Sequence, residues 1–342
     1  MRIRPQNYNR RKINDMKKYL AILIVVTLLV SMFALCACDD DGLALYVPDG
    51  APALSVAKII SDGKIGDSKV KTTVTKGGDE IVVKCASGEA DLAVLPTNAA
   101  VNVMKKNSDY LMFTVNVYGV LYVVGTEKID SISDLQGKLL YSIGKSNTPE
   151  LVFNTICDNS GVSCVEVADN EVNNADAVNI WYRNEASDIM PLVLDKENNN
   201  AKFALLGEPA ITQLKNNAQK NNITIYDLFD LQELWQEVTG SDELGYPQAS
   251  LIVKKDLLTD EFAAKLLETL QANYEFATTH LTELNSIMRG AGSSLNLNYT
   301  SELLERCNLT AIPAKTALSD INTYLAKFNL QLDESKIYEA NN

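Results

Sequence analysis

The sequence predicts an α/β fold of two lobes built on mostly parallel sheets. Short apolar, strand-like runs alternate with amphipathic helical segments, and several runs stop at a Pro or Gly that opens a helix. About 300 residues follow the N-terminal segment, more than one hydrophobic core ordinarily supports.

The N-terminal segment stands apart from this pattern. Arg2, Arg4, Arg10, Arg11, Lys12, Lys17 and Lys18 precede a stretch from Tyr19 to Cys38 with no charged residue, the layout of an export signal. A run of about 20 apolar residues also suffices to span a bilayer. Against permanent spanning, the run ends in Leu35-Cys36-Ala37-Cys38, and Asp39-Asp40-Asp41 follow at once. Leu-x-Ala-Cys resembles a bacterial lipobox, which implies a signal peptide over 1–37, lipidation of Cys38, and an anchor and spacer over 38–42. The expected location is extracytoplasmic and lipid-anchored to the cell membrane, because the basic flank stays inside. Loss of the signal removes seven positive and one negative side chains, taking the formal charge from −13 to −19. A basic nucleic-acid surface is not expected at that charge.

Beyond Cys38, residues 43–47 read as a buried strand, and Pro48-Asp49-Gly50-Ala51-Pro52 as a turn opening a helix over 53–61. Residues 69–75 alternate as a strand, 79–86 are helical, and 90–95 form a buried strand followed by a helix from Pro96. This βαβαβα order implies a parallel sheet covered by helices. Residues 110–116 and 119–125 add two apolar strands. A second series runs through a capped turn at 131–138 and strands at 139–143, 164–167, 177–183 and 202–206. Its helices fall at 148–157, 187–196 and 210–221. A strand is possible after 223, with a helix around 231–238. After Gly245-Tyr246-Pro247-Gln248, the strand at 249–254 returns to the first lobe. From Thr259 the chain is helical, with Phe262, Leu266, Leu267, Leu270, Tyr274 and Ala277 at three- and four-residue spacing, the signature of a core-facing stripe. Helices over 301–306 and 314–328 close the chain.

Four cysteines lie in the body: Cys85, Cys157, Cys164 and Cys307. Cys157 and Cys164 bracket a turn-rich connection, so a local disulfide and two free thiols both fit the spacing. Cys85 and Cys307 are expected as small buried residues.

An internal repeat carries the functional reading. Residues 91–98 (DLAVLPTN) and 202–209 (KFALLGEP) are both buried strands that stop at Pro or Gly and turn into a helix. Ligands bind at such strand ends in open α/β sheets, where helix N-termini offer unpaired N–H groups. In order, LYVPDGAPALSVAKII, GEADLAVLPTNAA, DLQGK, LLGEPAIT and GYPQASLIVKKDLL, together with the lipobox, resemble substrate-binding lipoproteins of ABC transporters. The branch is the SsuA/THI5/NMT1-like one, which includes binding proteins for alkanesulfonates, taurine, nitrate and thiamine-precursor pyrimidines. The resemblance implies a type II periplasmic-binding-protein fold, with lobe 1 over 43–118 and 249–342 and lobe 2 over 126–244. Hinge crossovers are implied at 119–125 and 245–248. It also implies a small-molecule ligand, an ABC permease with its ATPase, and no cofactor. Glu208-Pro209 matches the family's strand-end Glu-Pro. No arginine is expected at the strand ends to clamp a sulfonate or nitrate.

The candidate ligand contacts follow from the strand ends. Asp49 and Gly50 follow the first strand, where Asp49 either caps the next helix or meets a ligand N–H. Thr97 and Asn98 follow the strand at 90–95, and Thr97 is equally an N-cap. Ser146, Asn147 and Thr148 open the helix after 139–143, a place suited to an anionic group, although Thr148 before Pro149 also makes an ordinary cap. Glu208 either faces the ligand or serves the following helix, since a buried carboxylate needs partners. With Asp49 it implies an amine- or N–H-rich ligand. Tyr118, Trp181 and Tyr246 sit where an aromatic stacks on a heteroaromatic ring or packs between lobes.

His280 is the one histidine, and no Walker loop, HExxH or GxSxG occurs. No metal site is expected. The predicted function is a non-catalytic solute-binding protein. The alternatives are a carboxylate-based enzyme of the pyrimidine-synthase or dehydratase type, which shares the architecture, and a ligand-sensing lipoprotein.

Overall fold

The computed structural model describes residues 42–340 except 198–200, 242, 294 and 296. The expected signal segment over 1–37, Cys38 and residues 39–41 of the expected spacer lie outside the described residues. Leu43–Asn342 form one compact unit.

The chain begins with β1 (Leu43–Pro48), broken at Gly50 (φ +94°), and continues through α1 (Ala51–Leu54) and α2 (Ala57–Asp62). A hairpin of β2 (Lys64–Ile65) and β3 (Ser68–Thr75) leads to α3 (Gly78–Ala86), β4 (Leu92–Pro96), α4 (Thr97–Lys106) and β5 (Tyr110–Val117). Then come β6 (Leu121–Gly125), β7 (Leu139–Ser142), α5 (Thr148–Asn159), β8 (Ser163–Glu166), β9 (Ala177–Tyr182), α6 (Ala186–Leu194), β10 (Ala201–Gly207), α7 (Ala210–Lys220), β11 (Tyr226–Asp230) and α8 (Leu231–Thr239). The chain closes with β12 (Ala249–Lys254), α9 (Asp260–Gln271), α10 (Asn273–Thr279), α11 (Leu281–Gly290), α12 (Ser301–Glu305), β13 (Leu309–Pro313) and α13 (Leu318–Ala326).

Two sheets result, ordered β13-β5-β12-β4-β1-β3-β2 and β11-β6-β10-β7-β9-β8. Both are mixed. The βαβ units give parallel pairs, β1 with β3 and β4 in the first sheet, and β7 with β9 and β10 and β8 with β9 in the second. The strands flanking the crossings between sheets, β5, β6 and β12, run antiparallel to their neighbours. A strand that enters or leaves a sheet without a crossover helix reverses direction against its neighbour.

Residues 119–125, expected both as an apolar strand and as a crossover, carry β6, which lies inside the second sheet between β10 and β11. Between β5 and β6 the chain passes from one sheet to the other through Tyr118-Gly119-Val120. The return at 245–248 touches it directly, for a Cβ on Gly245 (φ +96°) would collide with the Tyr118 carbonyl oxygen. Gly119 (φ +78°) is equally confined, with room for a Cβ only 2.8 Å from Gln232 Cγ. Only glycine combines a left-handed backbone with so close an approach.

Burial follows the same plan. One apolar cluster, including Leu45, Leu54, Phe113 and Leu266, covers an outer layer of the first sheet, and another, with Val124, Tyr141, Ile189 and Leu214, an outer layer of the second. The third cluster joins residues of both sheets, from Ile81 and Met112 to Phe153 and Trp235. At its centre Tyr246 stacks on Tyr324 at 5.9 Å between ring centroids, and Trp235 meets both rings edge-on. Such aromatic pairs add directional packing energy to the area they bury.

Candidate functional site at the junction of the two sheets

At the end of β1, the Asp49 N–H donates to the Thr75 carbonyl at 2.8 Å, and the Asp49 carboxylate accepts the Gly50 N–H at 2.8 Å. No side chain caps α1, so the capping role considered for Asp49 is not the one observed. Gly50 abuts the second sheet's turn: a Cβ there would lie 3.6 Å from Pro209 Cδ. At the end of β4, Thr97 is buried and shares a 2.8 Å hydrogen bond with Ser250. Asn98, 8 % exposed, donates through Nδ2 to Asn147 Oδ1 at 3.5 Å, and its Oδ1 has no partner among the described residues.

Asn147 belongs to the second sheet, at the N-cap of α5. Ser146 before it has φ +59°, and its N–H donates to the Glu150 carboxylate. Thr148 shares a 2.7 Å hydrogen bond with the Tyr324 hydroxyl of α13. The Asn98–Asn147 and Thr148–Tyr324 contacts therefore span the junction. Beside them lies a cavity of about 410 Å³, lined in part by Ser146, Asn147, Glu150, Asn154, Asp158 and Lys327. It falls within the size range of small-molecule sites.

Glu208 ends β10 with its side chain 1 % exposed. One carboxylate oxygen accepts the Thr212 N–H at 3.1 Å and its hydroxyl at 2.9 Å. The other accepts Arg306 Nε at 2.7 Å. Arg306, at the end of α12, also reaches Asp227 at 3.2 and 3.4 Å and lies 4.1 Å over the Tyr122 ring. Burial alone would lower the guanidinium pKa, but Glu208 and Asp227 outweigh it and hold Arg306 above its ordinary value. Glu208 is thus engaged in an ion pair and in bonds to the following helix within the protein.

The aromatic candidates divide. Tyr118 is buried and donates to Asp320 at 3.1 Å, while Tyr246 is fully buried and donates to Gln232 Oε1 at 3.2 Å. Burial, chiefly, raises both phenol pKa values well above normal. Both are packing residues at the junction. Trp181 is half-buried, with the Arg183 guanidinium 4.7 Å over its ring. Arg183 follows β9 directly and its Nε has no partner among the described residues, so an arginine does stand at a strand end, contrary to expectation.

Four of the expected contacts, Thr97, Tyr118, Glu208 and Tyr246, are therefore internal, as is Thr148 through its bond to Tyr324. Asp49, Gly50, Asn98, Ser146, Asn147 and Trp181 remain near the strand ends. Arg183 and Arg306 were missed. Among the described residues no group of His, Cys, Asp or Glu is arranged to hold a metal ion, and no helix is long and apolar enough to cross a membrane.

Two mixed α/β sheets joined by paired crossings, with strand ends meeting at their junction, define a periplasmic-binding-protein fold. Solved structures bear this out. An ABC transporter protein from Parabacteroides distasonis is similar at 19 % identity and a TM-score of 0.72, covering 88 % of this chain and all of that one. The periplasmic aliphatic sulphonate binding protein SsuA of Escherichia coli is similar at 11 % identity and a TM-score of 0.59, over 87 % and 92 % of the two chains. A ligand-binding component of an ABC-type import system from Staphylococcus aureus, solved with zinc bound, is similar at 11 % identity and a TM-score of 0.57, over 87 % and 96 %. At these identities the likeness is one of fold. Residues 172–338 match the family model described as menaquinone biosynthesis. No curated protein matches the sequence significantly.

Proposed function

We propose that this chain is an extracytoplasmic solute-binding lipoprotein, tethered at Cys38, that captures a small molecule between two lobes and delivers it to an ABC permease and its ATPase. The lobes are residues 43–118 with 249–342, and residues 126–244. They hinge at Tyr118–Val120 and 245–248. The observation that carries the reading is the polar seam at the strand ends, where Asn98 of one lobe meets Asn147 of the other with an acceptor left unpaired. A buried amide with spare hydrogen-bonding capacity recognises a ligand by completing it. Asp49, Gly50, Ser146, Trp181 and Arg183 supply further contacts. Ligand favours closure only through its extra affinity for the closed arrangement.

The test is to purify the full chain, identify what copurifies by mass spectrometry, and titrate that molecule calorimetrically into the wild type and Asn147→Ala. A loss of about tenfold or more in affinity supports the reading. Unchanged affinity would sink it.

A second reading rests on the match of residues 172–338 to a menaquinone-biosynthesis family. In it the same seam binds a substrate and a carboxylate acts on it. Conversion of the copurified molecule during incubation with the protein would establish this and displace the transport reading.

A further inference from the structure

Two thiols lie outside the seam. Cys157 lies in the last turn of α5 and is fully buried, whereas Cys164 lies on β8 and is half-buried. The connection between them folds back on the helix: the Ser160 and Val162 N–H groups both donate to the Cys157 carbonyl, at 3.0 and 2.9 Å. Gly161, with φ +67°, makes the reversal. The turn returns both cysteines to one apolar cluster, with Cys157 inside it and Cys164 packed against it. Cys85 and Cys307 are buried singly elsewhere, so this is the one paired set among the described cysteines.

We propose that Cys157 and Cys164 are a redox-modification site that closes to a disulfide under oxidising conditions, stapling the C-terminal end of α5 to the edge strand β8. The geometry assigns different roles to the two sulfurs. Cys164, partly open to solvent, is the one an oxidant reaches, while Cys157 is buried behind it. The neighbouring Cys164 thiol, with burial second, raises the Cys157 thiol pKa, which keeps it a poor first nucleophile. With oxidised glutathione, the Cys164 thiolate attacks one glutathione sulfur and expels the other as thiolate. Cys157 then gives up its proton and attacks the Cys164 sulfur, expelling the second glutathione. Two protein thiols are oxidised, one disulfide is reduced, and two glutathione thiols leave.

The staple lies at the opposite end of α5 from Asn147 and Thr148, so it fixes the helix to its own sheet while leaving the seam contacts untouched. The inference does not depend on the identity of the ligand or on transport.

No Lys or Arg separates Ser146 from Arg183, so trypsin releases both cysteines in one peptide that holds no other cysteine. The native full chain is treated with oxidised glutathione, blocked with an alkylating reagent, digested and weighed. The expected product is that peptide about 2 Da lighter than its dithiol form, unalkylated, and restored by reductant. Cys157→Ser should instead retain glutathione on Cys164. Because a buried change at Cys157 risks misfolding, Cys164→Ser is the companion variant, and its peptide should stay reduced. A wild-type peptide that remains doubly alkylated, or that stops at the glutathione adduct, overturns the proposal.

Discussion

Removal of Arg306 tests most directly how the two sheets are held together. In Arg306→Ala the Glu208 carboxylate, 1 % exposed in its side chain, keeps the two Thr212 donors and loses the Arg306 counter-charge, its one ion-pair partner among the described residues. Stripping one partner from a buried pair costs about 3–5 kcal/mol. The Arg306 side chain is 29 % exposed and Thr212 remains, which places the expected loss at the low end, about 3 kcal/mol. The Asp227 contact adds little, because Asp227 is 42 % exposed and exposed pairs contribute about 0–1 kcal/mol. In Glu208→Gln the guanidinium keeps Asp227 and solvent, so the cost is about 1–2 kcal/mol. The double variant orphans no charge and should cost about 2 kcal/mol, well below the sum.

Urea unfolding of residues 43–342 at neutral pH measures all four corners of this cycle. The expected coupling is about 2 kcal/mol, with a midpoint little changed by added salt, since a buried pair is weakly screened. A cost for Arg306→Ala below about 1 kcal/mol, or additivity within about 0.5 kcal/mol, would refute the reasoning. The ion pair would then be a passive contact between sheets.

Gly245→Ala should destabilise by about 2–4 kcal/mol in the same assay, because the left-handed backbone and the Tyr118 carbonyl both exclude a Cβ; a neutral result would mean that the crossings can separate freely. Tyr324→Phe deletes the hydroxyl bonded to Thr148 and should cost about 1 kcal/mol by thermal unfolding. Asp230 caps α8, and burial raises its pKa in the folded state against the opposing Gln232 and Glu233 N–H bonds. Its contribution is fully present below the unfolded carboxylate pKa and is lost as pH rises through the folded one. Asp230→Asn, which cannot ionise, should therefore gain on the wild type as pH rises through that window; a difference that does not change with pH in urea midpoints would contradict this.

Local pattern made most of the fold legible. The strand at 249–254 has the same bounds in sequence and structure, because a continuous apolar run between a Gly-Pro break and two lysines leaves little freedom. By contrast β13 went unread. Its residues are all half-buried and it ends in Pro313, so neither alternation nor a buried run marks it as a strand. It forms by pairing with β5, nearly 200 positions earlier. The side-chain partnerships at the candidate site were not legible. A buried carboxylate at Glu208 announced that it needed a cation, and the sequence after Cys38 contains just three arginines, Arg183, Arg289 and Arg306. Nothing local selects Arg306, which lies 98 positions away. Its selection changes what the site can recognise. With Glu208 neutralised inside the protein, the reason for expecting a cationic ligand is removed on that side. The polar groups left near the strand ends are Asp49, Ser146, the amides Asn98 and Asn147, and the partly stacked Arg183. With one carboxylate and one guanidinium among them, the proposed site suits a ligand that carries both donors and acceptors, and the first molecules to titrate are neutral or zwitterionic.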